Sequence, residues 1–170
     1  MSRKDADFRA ELMHYLPRLR RFAHSLTRHP ADGDDVLQSA LERALKRSDQ
    51  YEPGTRLDSW MYRIIKNVWI DEVRARDRRG DTFAPEEAGL GVGAEDPQFE
   101  KRTRTMSLEQ AMTTLPDEQR VAVSLVLVEG LSYKEAASVL DVPIGTLTSR
   151  LARGRSALEA QLSDVSEAGS

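Results

Sequence analysis

The stretch Leu131 to Leu162, LSYKEAASVLDVPIGTLTSRLARGRSALEAQL, leaves this chain the fewest options. Ser132 followed three residues later by Glu135 is a capping box, in which each side chain accepts a backbone N–H at the start of a helix. Ala136, Ala137, Val139 and Leu140 give that helix one small apolar face. Pro143 then removes a donor and turns Val142 away from helical geometry, so Asp141-Val142-Pro143 reads as a turn. Beyond it, Leu147, Leu151 and Leu158 recur at spacings of four and seven and share one buried stripe of a second helix. Thr148, Ser149, Ala152, Arg153 and Arg155 fall on the opposite face. Two short helices around a tight turn make a helix-turn-helix whose second helix fits a major groove. A plain helical hairpin with a solvated face shares this spacing. Such a face has no need of side chains as small as Thr148, Ser149 and Ala152, which favours DNA reading.

A formal net charge of −3 over 170 residues is at odds with a nucleic-acid binder until the charges are placed along the chain. From Arg63 to Arg79 the bases Arg63, Lys66, Arg74, Arg76, Arg78 and Arg79 outweigh Asp71, Glu72 and Asp77. From Asp81 to Glu100 there are only acids: Asp81, Glu86, Glu87, Glu95, Asp96 and Glu100. Local basic patches set the field at a phosphate surface, so overall acidity weighs mainly against tight nonspecific binding. The absence of cysteine excludes disulfide and thiolate chemistry and makes the reducing cytoplasm the expected setting. No apolar run approaches the roughly 20 residues that span a bilayer. The N-terminus MSRKDADFRAEL lacks the apolar core of a signal peptide, so no membrane insertion is expected.

Taken in order, Phe8, Leu12 and Tyr15 lie at helical spacing, and Pro17 predicts the start of a new helix through Leu19, Phe22, Ala23 and Leu26. His14, His24 and His29 lack partners at ligand spacing and read as surface or boundary residues. Asp32-Gly33-Asp34-Asp35 precedes VLQSALERALK, whose buried face is Val36, Leu37, Ala40, Leu41, Ala44 and Leu45. The Pro53-Gly54 pair marks a loop after Tyr51. A long helix, LDSWMYRIIKNVWIDEVRARDRR, follows, with Trp60, Ile64, Ile65, Val68 and Val73 as core candidates and a basic end. That end either complements the helix dipole or tracks phosphates, with Tyr51, Tyr62 and Trp69 as stacking platforms for unpaired bases. Glycines, prolines and acids from Gly80 onward describe a flexible, self-repelling linker. A second unit follows, with a short helix through Leu108, Ala111, Met112 and Leu115. Pro116 starts the next helix, in which Val121 to Val128 is read as buried helix rather than strand, ending at Gly130. The tail SDVSEAGS has no apolar face and is expected to fray. The expected fold is all-α: two small helical domains, 1–79 and 106–163, joined by a flexible acidic linker over 80–105, the second a helix-turn-helix, with a frayed tail over 164–170.

These segments together resemble the extracytoplasmic-function (ECF) sigma factors, the minimal two-domain members of the bacterial sigma-70 class. DDVLQSALERALK resembles the helix that docks on the clamp of the RNA polymerase largest subunit. DSWMYRIIKNVWIDEVRARDRR resembles the helix that melts and reads the minus-ten promoter element, and LPDEQRVAVSLVLVEGLSYKEAASVLDVPIGTLTSRLARGRSAL resembles the minus-thirty-five reader. VPIGTLTSRLARGR, the turn and recognition helix, is the most specific part of the match. The resemblance implies a transcription initiation factor that acts by binding, with promoter DNA, core RNA polymerase (clamp and flap) and an anti-sigma factor as partners.

By position, the resemblance implies that Asp35, Gln38, Ser39, Glu42 and Arg43 face the polymerase. Asn67 and the loop from Tyr51 through Thr55 and Arg56 to Leu57 would hold exposed minus-ten bases, with Arg63, Lys66, Arg74 and Arg76 beside them on the same DNA. Thr148, Ser149 and Ala152 would approach minus-thirty-five base edges, while Lys134, Thr146, Arg150 and Arg153 hold phosphates. Departures are Thr148 where Lys or Arg is frequent, Ser39 for a usual Glu, Asp141 for Gly in the turn, and Gly154 for Ala. The last costs a helix interior on the order of 0.5 to 1 kcal/mol. FAHSLTRHPADGDD with YEPGTRLDSW resembles the general-stress-response subgroup. A sigma-like decoy that sequesters an anti-sigma factor without binding DNA is the alternative, but decoys lose basic reading residues and this chain keeps Arg150, Arg153 and Arg155. No carboxylate pair, activated nucleophile, metal cluster or phosphate loop is legible, so neither catalysis, a metal, a cofactor nor a small-molecule substrate is expected.

Overall fold

The computed structural model describes residues 2–80 and 108–168, all in helices, turns and loops. Helix α1, Arg3–Leu26, starts at a second capping box, Ser2 with Asp5. It does not restart at Pro17, which lies inside it on the solvent side. The apolar stripe Phe8, Leu12, Leu19, Phe22, Ala23, Leu26 stays in phase through the proline. An interior proline costs about 3 kcal/mol. Burying two large apolar side chains offsets that at about 1.5–3 kcal/mol each, and this stripe supplies more than two.

Helix α2, Pro30–Lys46, opens with proline at its first turn and buries Val36, Leu37, Ala40 and Ala44, while Leu45 stays exposed. Gly33 permits the approach of α1: a Cβ there would sit 2.6 Å from His24 Cδ2 and 3.1 Å from His24 Cα. A 3₁₀ turn, Ser48–Gln50, leads to the Tyr51–Thr55 loop, where Gly54 takes a φ of 92°. Helix α3, Leu57–Arg78, then lies against both α1 and α2 and buries Leu57, Met61, Tyr62, Ile64, Ile65, Val68 and Trp69.

The second unit comprises α4 (helical over 108–114), α5 (Asp117–Val123), a π-helical turn over Ser124–Val128, α6 (Tyr133–Leu140) and α7 (Ile144–Ala168). The β-branched run is helical as expected, but it widens after Val123 so that Glu129 N–H donates to Ser124 O at 2.9 Å. Gly130 stops it with a φ of 74°. Helix α7 is drawn on to Ala168, into the stretch expected to fray. Residues 81–107, which include most of the expected linker, lie outside the described residues.

A small core of Ala111, Met112, Leu115, Val123, Leu151 and Leu158 belongs to the second unit alone. The larger core is shared. It joins Phe22, Met61, Tyr62 and Ile65 of the first unit with Leu125, Leu131, Ala136, Val139, Leu140 and Leu147 of the second. The two units therefore pack together, with α6 against α3 and the π turn and α5 against α1.

Candidate nucleic-acid interface

The helix-turn-helix forms as its residues dictate. Glu135 N–H donates to Ser132 Oγ at 3.1 Å and Ser132 N–H to Glu135 Oε2 at 3.4 Å, closing the box that starts α6. Asp141 ends α6 in the left-handed region at a φ of 55°, which Asp tolerates better than most residues. Val142 N–H reaches back to Ala137 O at 3.1 Å, so the turn satisfies the last carbonyls of α6 before Pro143 begins the next helix. Leu147, Leu151 and Leu158 are buried. Thr148, Ser149, Ala152, Arg153 and Arg155 all face solvent.

On that face the Thr148 hydroxyl donates to Ile144 O at 2.9 Å, which leaves its methyl and an acceptor lone pair to meet a base edge. Lys134 is exposed on α6, Thr146 is half-buried, and Arg150 lies 3.6 Å from Glu118. Gly154 is buried where α7 crosses α5. An added Cβ would meet Val123 Cγ2 at 2.8 Å, so this glycine serves a close helix crossing.

On α3, Asn67, Arg63 and Arg74 are exposed, as are Thr55 and Arg56 in the preceding loop. Arg76 pairs with Asp32 at 3.3 Å. The aromatic side chains expected as stacking platforms are instead core. Tyr51, 8% exposed, packs between Phe8 and Trp60 and donates its hydroxyl to Thr55 O at 3.0 Å. Tyr62 and Trp69 are buried too, so none of these rings offers a face to an unpaired base in this arrangement. A helix that must pack on two neighbours draws its large rings inward, and periodicity alone does not say how many faces are covered.

Several of the basic residues are engaged by the second unit. Arg56 contacts Asp58 Oδ2 at 2.8 Å and Glu135 Oε2 at 2.6 Å, and its hydrogen bond to Asp58, then that to Glu135, raises its pKa against desolvation. Arg63 donates to the carbonyl of Ser138 in α6. Lys66 is half-buried; desolvation and then Arg63 lower its pKa, against the pull of Asp141. On α2, Asp35, Gln38 and Glu42 are exposed, while Ser39 and Arg43 are half-buried, Arg43 lying 3.6 Å from Asp71.

Four functional groups at the join escaped sequence reasoning: Arg21, Arg120, Glu129 and Glu135 as a partner of Arg56. Glu129 accepts from Arg21 at 3.1 and 2.6 Å and from the Tyr62 hydroxyl at 3.2 Å. Burial, then the Glu129 charge, pushes the Tyr62 phenol far above its usual range. The signal was a lone acid, Glu129, at the end of the largely apolar run Val121 to Val128; Arg120, next to Asp117, Glu118 and Gln119, carried no such signal. His24 also has a carboxylate partner that spacing did not reveal, Asp34 at 2.7 Å. Asp34 is shared with Arg20 at 3.1 Å, and the bonds from His24 and Arg20 lower its pKa. No group of three or more His, Asp or Glu placed to hold a metal occurs among the described residues, and no described helix is long and apolar enough to cross a membrane.

Residues 12–79 match the family model for sigma-70 region 2, and residues 105–158 match that for sigma-70 region 4. This chain belongs to the ECF sigma factor family. The chain is 33% identical over 157 residues to the ECF RNA polymerase sigma factor EcfG of Rhodopseudomonas palustris, covering 91% of this chain and 84% of that protein. It is 37% identical over 145 residues to the ECF RNA polymerase sigma factor SigE of Mycolicibacterium smegmatis, spanning 83% of this chain but only 56% of the relative. Among solved structures, the sigma factor RpoE of Bartonella quintana, crystallised with the anti-sigma factor NepR, matches with a TM-score of 0.76 at 31% identity, over 92% of this chain and 97% of that one. The α1–α3 unit of this ECF sigma factor is thus its region 2 and the α4–α7 unit its region 4.

Proposed function

We propose that this sigma factor binds core RNA polymerase in the cytoplasm and directs promoter-specific initiation, acting by binding alone. The observation that carries the reading is the exposed α7 face of Thr148, Ser149, Ala152 and Arg153, which has a groove-sized helix behind it and a cap and turn that fix its angle. Region 4 reads the minus-thirty-five element with Thr148, Ser149 and Ala152, while Lys134, Thr146, Arg150 and Arg153 hold phosphates. Region 2 takes the minus-ten element with Asn67, the Thr55–Arg56 loop and the cations Arg63, Lys66, Arg74 and Arg76. The buried Tyr51 shapes that loop from beneath through its bond to Thr55. Asp35, Gln38, Ser39, Glu42 and Arg43 on α2 engage the polymerase clamp, and region 4 meets the flap. The two matched regions, 12–79 and 105–158, support a division into 1–79, 80–105 and 106–163.

The likeness to EcfG and to a structure solved with NepR supports the general-stress-response subgroup and an anti-sigma partner of that kind. Retention of Arg150, Arg153 and Arg155 on α7 argues against a decoy that binds only an anti-sigma factor. Adding the protein to core polymerase and selecting bound promoter fragments should return two conserved elements at fixed spacing. Failure to bind core polymerase would end this reading.

A further inference from the structure

Asp58 stands in the first turn of α3 with its side chain only 3% exposed. An acid at that position complements the helix dipole, but it does so without being buried. Burying the carboxylate costs free energy, and the cost is tolerable only with partners in place. Asp58 has three: it accepts from Ser59 N–H at 2.8 Å, from Arg56 Nε at 3.2 Å and from Arg56 Nη2 at 2.8 Å. The Arg56 fork is thus gripped along one edge, and two parallel bonds fix both its position and its plane.

Arg56 itself is not buried, its side chain being 51% exposed. With Nε and Nη2 on Asp58, Nη1 is left on the outer edge, and what it meets there is an oxyanion, Glu135 Oε2 at 2.6 Å. A phosphodiester offers that edge the same charge and a like pair of oxygens. The residue before Arg56 is pinned as well. Thr55 N–H and the Thr55 hydroxyl both donate to Glu52 O, at 3.2 and 2.7 Å, and the Thr55 carbonyl accepts from the Tyr51 hydroxyl at 3.0 Å. The loop assigned to an exposed minus-ten base therefore keeps a set distance to the outer edge of the guanidinium. A side chain already fixed loses less freedom when it meets its ligand.

We infer that Arg56 holds one backbone phosphate of the exposed minus-ten strand through its outer edge, and that Asp58, which touches no DNA, is the positioning residue that aims it. The inference rests on the minus-ten assignment of region 2 and names the group that Arg56 takes there. A phosphate contact fixes the register of the strand, while the bases are told apart elsewhere in the loop.

The test uses the holoenzyme and a fork probe with a single-stranded minus-ten element, each phosphate of that strand being replaced in turn by an uncharged methylphosphonate. One replacement should weaken binding by the unaltered protein about tenfold, the scale of a charge-assisted bond, and should cost Arg56→Ala little. Arg56→Ala should bind all minus-ten sequences more weakly by one common factor, with the salt slope of log K reduced by about 0.7, the share of one single-strand phosphate. Asp58→Asn keeps the side-chain volume but loosens the grip on the fork. It should weaken binding less than Arg56→Ala does and blunt the response to the same methylphosphonate, and adding it to Arg56→Ala should bring no further loss. A changed base preference in Arg56→Ala, or the lack of any phosphate whose effect depends on Arg56, would overturn the phosphate contact. Asp58→Asn binding like the unaltered protein, or deepening the loss in Arg56→Ala, would overturn the positioning role. A holoenzyme that does not bind the fork at all would sink the minus-ten assignment and this inference together, whereas the other adverse results leave that assignment standing.

Discussion

Arg120 of region 4 donates to the carbonyl oxygen of Leu26, the last residue of α1 in region 2, across 3.0 Å. The same guanidinium serves the carbonyls of Met112, Thr113 and Leu115 at 2.8–2.9 Å. Burial lowers its pKa, against Asp117 at 3.7 Å. One planar fork thus closes the α4–α5 corner and ties it to the end of α1.

Replacing that fork with an apolar chain of similar length strands the carbonyls in a dry site. Arg120→Met is expected to destabilise the protein on the order of 3 kcal/mol, since each stripped buried acceptor costs about 1–3 kcal/mol and some find water. Thermal unfolding should show Tm lower by about 10 °C, at the 2–4 °C per kcal/mol typical of this size. Arg120→Lys keeps the charge as a point donor and should fall between the two; a Tm for Arg120→Met equal to that of the unaltered protein would refute the role.

Gly154→Ala sets two effects of opposite sign against each other. Helix propensity favours alanine by about 0.5–1 kcal/mol. The new Cβ would lie 2.8 Å from Val123 Cγ2 and 3.4 Å from Gln119 Cβ, and such overpacking costs about 1–3 kcal/mol. The steric cost wins, so the urea midpoint of Gly154→Ala should fall, and Val123→Ala in the same chain should recover part of the loss. A higher midpoint for Gly154→Ala alone would show that α5 and α7 are not so closely set.

Glu72 lines a groove of about 420 Å³ with Leu26, Trp69, Val73, Asp32 and Arg76. Desolvation raises its pKa, Arg76 opposes, and Asp35 and Asp32 add to the rise. The folded state thus holds the Glu72 proton more tightly than the unfolded chain, and stability falls as pH climbs from the ordinary carboxylate range, about pH 4, through the raised value. Glu72→Gln lacks this loss. It should melt higher than the unaltered protein at neutral pH, with the advantage shrinking as the buffer approaches pH 4; an advantage independent of pH would point to some other cause.

Arg153 and Ser149 share the exposed face of α7 but are assigned different work. Arg153→Ala should weaken holoenzyme binding to all promoters alike and reduce the salt slope of log K by about one. Ser149→Ala should change preference at one minus-thirty-five position by about 1–3 kcal/mol and leave the salt slope alone. Competition binding over a promoter library separates these, and identical profiles for the two variants would dissolve the division of labour.

Local chemistry sufficed for the helix-turn-helix. The Ser132–Glu135 box, the Asp141-Val142-Pro143 turn and the Leu147, Leu151, Leu158 stripe are short-range devices whose partners lie within a few residues, so their pattern states their geometry. Pro17 misled because its local penalty is smaller than the gain from a stripe that continues in phase on both sides, and only the shared core reveals that gain. Tyr51, Tyr62 and Trp69 misled for a related reason: helical spacing marks one inward face, whereas α3 is covered from several directions.

The sequence by itself determined the helix-turn-helix, the cap and turn that aim α7, the basic end of α3 and the family to which they belong, because each is written in residues close together in the chain. Only the tertiary structure decided what Gly154, Arg120 and Glu129 are for and which cations region 4 occupies. Those roles depend on groups brought within 3–4 Å from far apart in sequence, as Arg21 meets Glu129 across 108 positions, and no local propensity encodes such a meeting.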